Sequence, residues 1–140
     1  MYKKQLLKVG TSKKSRAITG LVIGLLMVGS VAGAVSAGNI ADTPYEYYSN
    51  GEGFATVTRD KTDYSSAYIY HHGDNSAYVQ VRSGGMNYSA NGGSYWVGVG
   101  SSVYLPKYVK ENGRNNCYLY IQPTPATGCY MHGVWSPDSV

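Results

Sequence analysis

Residues 77–82 read Ala-Tyr-Val-Gln-Val-Arg, and residues 117–122 read Cys-Tyr-Leu-Tyr-Ile-Gln. Both alternate small or aliphatic side chains with aromatic or polar ones, the period of a strand that turns one face to a core. Ala77, Val79 and Val81 fall on one face, opposite Tyr78, Gln80 and Arg82; Cys117, Leu119 and Ile121 fall opposite Tyr118, Tyr120 and Gln122. Residues 67–71 repeat the pattern, with Ala67 and Ile69 opposite Tyr68 and Tyr70. The expected sheet is aliphatic on its core face and lined by tyrosines on the other. Residues 95–99 depart from this rule, because Tyr95 shares a face with Val97 and Val99 while Trp96 sits opposite, beside Gly98.

Turn punctuation separates these segments. His72-Gly73-Asp74-Asn75, Ser83-Gly84-Gly85 and Asn91-Gly92-Gly93 hold residues that tolerate positive φ. Strands at Ala67–His71, Ala77–Arg82, Met86–Ala90 and Ser94–Gly100 are then expected as a four-strand meander, with further strands at Phe54–Thr58, Cys117–Gln122 and Tyr130–Trp135. Pro106 is placed to open a short helix over Lys107–Asn112 that ends at Gly113, an extended edge segment being the competitor. Trp135 is expected to anchor the last strand, which Pro137 ends by denying the next ladder donor. The expected fold is all-β, a small antiparallel β-sandwich of about six to eight short strands. It carries one short helix at most and one disulfide.

Only 15 of the 103 residues beyond Ala37 are Leu, Ile, Val or Phe, a proportion low enough to raise the question of disorder. Fourteen tyrosines and two tryptophans in the same stretch answer it, since they supply large apolar surfaces that favour strands.

The first 37 residues read as an export signal. Lys3, Lys4, Lys8, Lys13, Lys14 and Arg16 precede an uncharged run from Ala17 to Val35, and Val35-Ser36-Ala37 offers the small residues of a cleavage site. Cleavage is expected after Ala37, with Asn39-Ile40-Ala41 as a second exit and retention as a membrane anchor as the third outcome. The implied partners are the Sec machinery and signal peptidase, and the product is a single secreted domain over residues 38–140. That domain holds six basic and eight acidic residues, so the +4 of the whole chain becomes −2 and gives no support to nucleic-acid binding. Cys117 and Cys129 are the only cysteines, and an even pair in an oxidising compartment is expected to form one disulfide.

Catalytic chemistry finds little footing. His71, His72 and His132 are the only histidines, read as turn and surface residues, with His71 and His72 pointing to opposite faces. Asp60 and Asp63, flanked by Arg59 and Lys61, read as a solvated, self-neutralising turn. No G-x-S-x-G elbow, phosphate-binding loop or dinucleotide fingerprint occurs. The chain is expected not to be an enzyme, with no catalytic residue, cofactor or metal assigned. The tyrosine face is the candidate binding surface, through Tyr68, Tyr70, Tyr78, Trp96, Tyr118 and Tyr120, because flat apolar rings with a polar rim suit sugar rings or the headgroup zone of a bilayer.

Three short motifs carry a resemblance: Arg59-x-Lys61-Thr62-Asp63, Tyr108-Val109-x-Glu111-Asn112-Gly113 and Gly133-x-Trp135-Ser136-Pro137-Asp138-Ser139. Together they resemble an uncharacterised family of small exported proteins of Gram-positive bacteria, a domain-of-unknown-function family. The resemblance implies gene neighbours of the bacteriocin-type ABC transport or immunity kind, and hence a bacteriocin-like or bacteriocin-associated role. In general design the chain is also similar to lactococcin-972-type bacteriocins, with no shared motif. The expected function is non-enzymatic action at the cell envelope, on a cell-wall component or membrane surface of target cells. A non-toxic wall-binding, carbohydrate-binding or surface structural protein is the alternative.

Overall fold

The structure is a computed structural model that describes residues 38–140. The expected signal segment and the expected cleavage residue Ala37 lie outside the described residues. Ten strands form two antiparallel sheets: β1 Thr43–Ser49, β2 Phe54–Ala55, β3 Arg59–Asp60, β4 Ala67–His71, β5 Ser76–Ser83, β6 Met86–Asn87, β7 Tyr95–Val97, β8 Ser101–Leu105, β9 Asn116–Thr124 and β10 Cys129–Ser136. No helix of the described residues is long and apolar enough to cross a membrane.

The first sheet is built on the two segments whose alternation is clearest. β9 pairs with β5 from Tyr118↔Arg82 to Thr124↔Ser76. Its other edge is shared by β2 and β3, while β6 and β7 share the far edge of β5. The second sheet runs β1-β10-β4-β8, with Trp135↔Thr43 and Trp135↔Ile69 flanking the core tryptophan. Inward-facing residues of both sheets make one core. Ala67, Ile69, Ala77, Val79, Val81, Cys117, Leu119, Ile121, Met131 and Trp135 are all fully buried there. The aliphatic faces are therefore where the alternation puts them.

The expected four-strand meander is not formed. β4 has β10 on one edge and β8 on the other, so no edge remains for β5. The connecting segment instead extends along β10, with His72 N–H donating to His132 O (2.8 Å) and Asp74 N–H to Tyr130 O (2.7 Å), before the chain enters the other sheet. The Met86–Ala90 strand shrinks to Met86–Asn87 plus an isolated bridge from Ser89 to Lys107. That bridge holds Lys107 extended, so the expected helix reduces to a single 3-10 turn over Lys110–Asn112. Its end is as expected: Gly113 sits at φ +76°, a left-handed cap whose N–H donates to Lys110 O.

The expected disulfide is also absent, since Cys117 and Cys129 are free thiols. Cys117 lies near the start of β9, seven extended residues before Thr124, and Cys129 opens β10 just beyond the turn. At about 3.3 Å per residue the strand alone separates them by roughly 23 Å, against the about 7 Å that a disulfide tolerates between Cα atoms. Proximity in sequence misleads here because the intervening residues are mostly strand rather than loop.

Candidate functional site

The crossing between β4 and β5 decides how the candidate surface is arranged. Both strands turn their tyrosines away from the core, but they belong to different sheets. Tyr68 and Tyr70 therefore emerge on the outer face of the four-stranded sheet, and Tyr78, Trp96, Tyr118 and Tyr120 on that of the six-stranded sheet. The single tyrosine face expected from alternation is two faces.

On the six-stranded sheet, Tyr78 stands between Trp96 and Gln122, the next row pairs Gln80 with Tyr120, and the third pairs Arg82 with Tyr118. The Arg82 guanidinium lies 4.2 Å from the centre of the Tyr120 ring, and its Nε donates to Gln80 Oε1 at 2.7 Å. A cation fixed over a ring in this way holds both groups in place. Trp96 is 58% exposed and Tyr78 46% exposed, while Tyr118 and Tyr120 are half-buried. A Cβ on Gly98 would stand 2.9 Å from the Trp96 ring, so the absence of a side chain there lets the indole lie down beside the strand. The face combines two open rings with fixed amide and guanidinium donors.

The four-stranded sheet carries a run of rings that alternation alone does not reveal. Tyr70 meets His72 at 4.2 Å between ring centres, His72 meets His132 at 5.5 Å, His132 meets Tyr130 at 4.6 Å, and Tyr130 meets Tyr48 at 4.5 Å. These contacts cross from β4 through β10 to β1, because neighbouring strands set same-face residues within ring-contact range. Glu46 accepts a hydrogen bond from the Tyr130 hydroxyl at 3.0 Å, which raises the pKa of that phenol. Beside this run Tyr68 packs on Tyr104 at 5.6 Å, over a shallow depression of about 290 Å³ that Ile40, Asp42 and Ser136 help to line. Tyr48, Tyr104, His72, Tyr130 and His132 are thus additions to the sequence-derived surface. For Tyr48 and Tyr104 the signal was weak because β1 and β8 carry little alternation of hydrophobicity, and for His72, Tyr130 and His132 it depended on the pairing of β10 with its neighbours.

The histidines divide as expected between faces, but His71 is a core residue and not a surface one. It is fully buried, with Nε2 2.7 Å from Asn75 O and Nδ1 2.7 Å from the Tyr45 hydroxyl. A carbonyl can only accept, so Nε2 carries the proton and Nδ1 accepts from Tyr45. Burial lowers the His71 pKa and raises that of Tyr45. His72 and His132 come together as the stacked pair already described, while Asp74 accepts from Tyr130 N–H at 2.9 Å. Among the described residues no three His, Cys, Asp or Glu side chains converge on a metal-sized site.

The Arg59–Asp63 segment departs most from expectation. Lys61 is 1% exposed, and its Nζ lies against Asp138 Oδ1 and donates to Ser65 O at 2.7 Å. Asp138 is fully buried as well, 77 positions further along the chain. Its other oxygen accepts from Asn39 N–H at 2.6 Å, Thr62 N–H at 3.1 Å and Thr62 Oγ1 at 2.6 Å. Burial alone would raise the Asp138 pKa, but these donors and Lys61 outweigh it and hold the carboxyl well below the usual range. Lys107 is 3% exposed nearby, its Nζ donating to Tyr64 O at 3.0 Å; burial, then the Lys61 charge, lower its pKa to about 8. Arg59, the other expected surface cation, reaches Asn39 Oδ1 and Ala41 O, both at 2.6 Å. A solvated turn in the sequence is in fact the buried junction between the two ends of the domain.

Residues 33–139 match the family described as "Protein of unknown function (DUF2712)", and the chain belongs to that family. No curated protein and no solved structure matches the chain.

Proposed function

We propose that this chain is an exported, non-enzymatic protein of Gram-positive bacteria that acts at the cell envelope in a bacteriocin-like or bacteriocin-associated role. The observation that carries the reading is the contrast between a filled core and outer faces rich in open rings. Tyr48, Trp96, Tyr104 and Tyr78 are 74%, 58%, 57% and 46% exposed. Isolated exposed rings are ordinary, but rings gathered on flat sheet faces beside fixed polar groups offer stacking planes with hydrogen-bond donors at their rim. That combination suits the sugar rings of a wall polymer or the headgroup zone of a membrane. The N-terminal pattern of basic residues, apolar run and small-residue exit supports export. Asn39 bonds to Asp138, Asp60 and Arg59, so cleavage after Ala37 keeps these three bonds and cleavage after Ala41 removes them. N-terminal sequencing of the released protein is expected to begin at Gly38.

The test is a spot assay of the purified secreted protein on lawns of several Gram-positive species, beside Trp96→Ala. Clearing by the wild type and none by a folded Trp96→Ala is the expected result. The second reading, a non-toxic wall-binding protein, is favoured by the Trp96–Tyr78 face, where Gln80 and Arg82 stand among the rings as amide and guanidinium groups suit sugar hydroxyls. Sedimentation with isolated walls and no clearing on any lawn would establish it in place of the first.

A further inference from the structure

The junction of Lys61 and Asp138 has a feature that a stabilising ion pair does not require. A carboxylate and an ammonium are packed against each other where neither has solvent, with side-chain exposures of 0% and 0%. Taking both charges out of water costs more than their attraction returns unless the surroundings are closely matched. Here the donors that hold the carboxylate are also placed to hold a second species. Three donors, the Asn39 and Thr62 N–H groups and the Thr62 hydroxyl, converge on Oδ2, the oxygen that gains charge when Cγ becomes tetrahedral. Oδ1 faces the lysine nitrogen. A second carboxylate, Asp63, stands with Oδ1 3.3 Å from Lys61 Nζ and is itself fixed by Ser65 N–H at 2.8 Å. Lys107 adds a second buried cation close enough to Lys61 for the two to repel.

We propose that Lys61 and Asp138 are joined by an intramolecular isopeptide bond that the folded protein forms by itself, with Asp63 as the group that moves the protons. Asp63 takes a proton from the Lys61 ammonium and passes it to Oδ1 of Asp138, and the freed amine attacks Cγ of the now neutral carboxyl. The negative charge that develops rests on Oδ2 in its cradle of three donors. Oδ1, already carrying the proton that Asp63 passed to it, takes a second proton from the nitrogen and leaves as water. One C–N bond forms and one C–O bond breaks. The two protons lost by nitrogen leave in the water, and no electrons are exchanged, so no cofactor or oxidant is called for. Holding amine and carboxyl in contact replaces a bimolecular encounter, with effective molarities on the order of 10⁵–10⁸ M for well-oriented groups. The product is a neutral amide in place of two buried charges, and it relieves the repulsion on Lys107. It ties the segment after β3 to the segment after β10, closing residues 61–138 into a covalent ring that leaves β1, β2 and β3 outside it, and it does not depend on the envelope reading above.

The test is the denatured intact mass of the purified protein, with the N-terminus of the isolated species read from the same sample, followed by proteolysis and peptide mapping. The expected mass is that of the sequence less one water, with a branched peptide joining the Lys61 segment to the Asp138 segment. Lys61→Arg, which keeps the charge but removes the primary amine, is expected to restore the full mass. Asp63→Asn is expected to leave much of the protein unlinked. A wild-type mass equal to the sequence mass, in protein shown to be folded by cooperative melting, overturns the proposal and leaves an ion pair. A missing water mapped to a single unbranched peptide, as a succinimide would give, overturns it as well.

Discussion

The Lys61–Asp138 junction and the outer aromatic faces treat their polar and apolar groups in opposite ways. At the junction charges are hidden: Lys61, Lys107 and Asp138 are all within 3% of complete burial. On the faces large rings are left open, Trp96 and Tyr48 above all. The first arrangement is expensive to disturb and offers nothing to a partner; the second is cheap to disturb and offers contact area. Stability and contact are therefore separable in this domain, and substitutions in the two regions should fall into two classes.

Asp138→Ala should give the largest effect. It leaves Lys61 without its buried partner and strips the Asn39 and Thr62 donors of their acceptor, a loss of at least about 3–5 kcal/mol by the usual cost of breaking a buried pair. Urea denaturation of the wild type and variant measures it. A loss below about 1 kcal/mol would mean that the junction is wetter than described.

The next effect follows pH through His71. Its pKa is lowered in the fold, chiefly by burial, with His132 and His72 as minor like-charge contributors against the opposing bond to Asn75. The unfolded chain then binds a proton near pH 6.5 that the folded chain refuses, so stability should fall as pH drops below about 6.5. The slope for one such group is at most about 1.4 kcal/mol per pH unit. His71→Gln can keep both hydrogen-bonding roles without titrating and should flatten this part of the profile. An unchanged profile in that variant would assign the slope to other groups.

Thiol chemistry distinguishes core from surface with no change in stability. Cys117 is fully buried and its thiol is pushed up to about 12 by desolvation, while Cys129 is only half-buried. A disulfide-exchange reagent should modify Cys129 in the native protein and reach Cys117 only on unfolding. If neither thiol reacts after denaturation without a reductant, the two are oxidised and the fold described here is wrong at β9.

Trp96→Ala should give the smallest stability change, within about 0.5 kcal/mol, because an exposed ring leaves no cavity when removed. Under the proposed function its effect falls on envelope binding.

How much of this was legible in the sequence follows the range of each interaction. Alternation in Ala67–His71, Ala77–Arg82 and Cys117–Gln122 gave strand positions and core faces correctly, since period two is a local property of the chain. It could not say which sheet a strand enters, because that depends on which edges are free. For that reason one tyrosine face became two, and the meander was lost. The same limit applies to Lys61. Its neighbours Arg59, Asp60 and Asp63 make a polar cluster that reads as surface, and only the pairing with Asp138 across the domain shows otherwise. His71 shared that fate, its partner Tyr45 lying in a strand with little alternation of its own. The cysteines erred in the other direction, because short sequence separation suggested closeness that an extended strand denies.

The most direct test of the proposal that the open rings make the envelope contact is sedimentation of the purified protein with isolated Gram-positive cell envelopes. Wild type, Trp96→Ala and Tyr48→Ala would be compared, with melting curves run beside them. Wild-type protein that pellets with the envelopes, and a ring variant that stays in the supernatant at an unchanged melting temperature, is the predicted result. Equal pelleting of all three folded proteins, or none by the wild type, would contradict it.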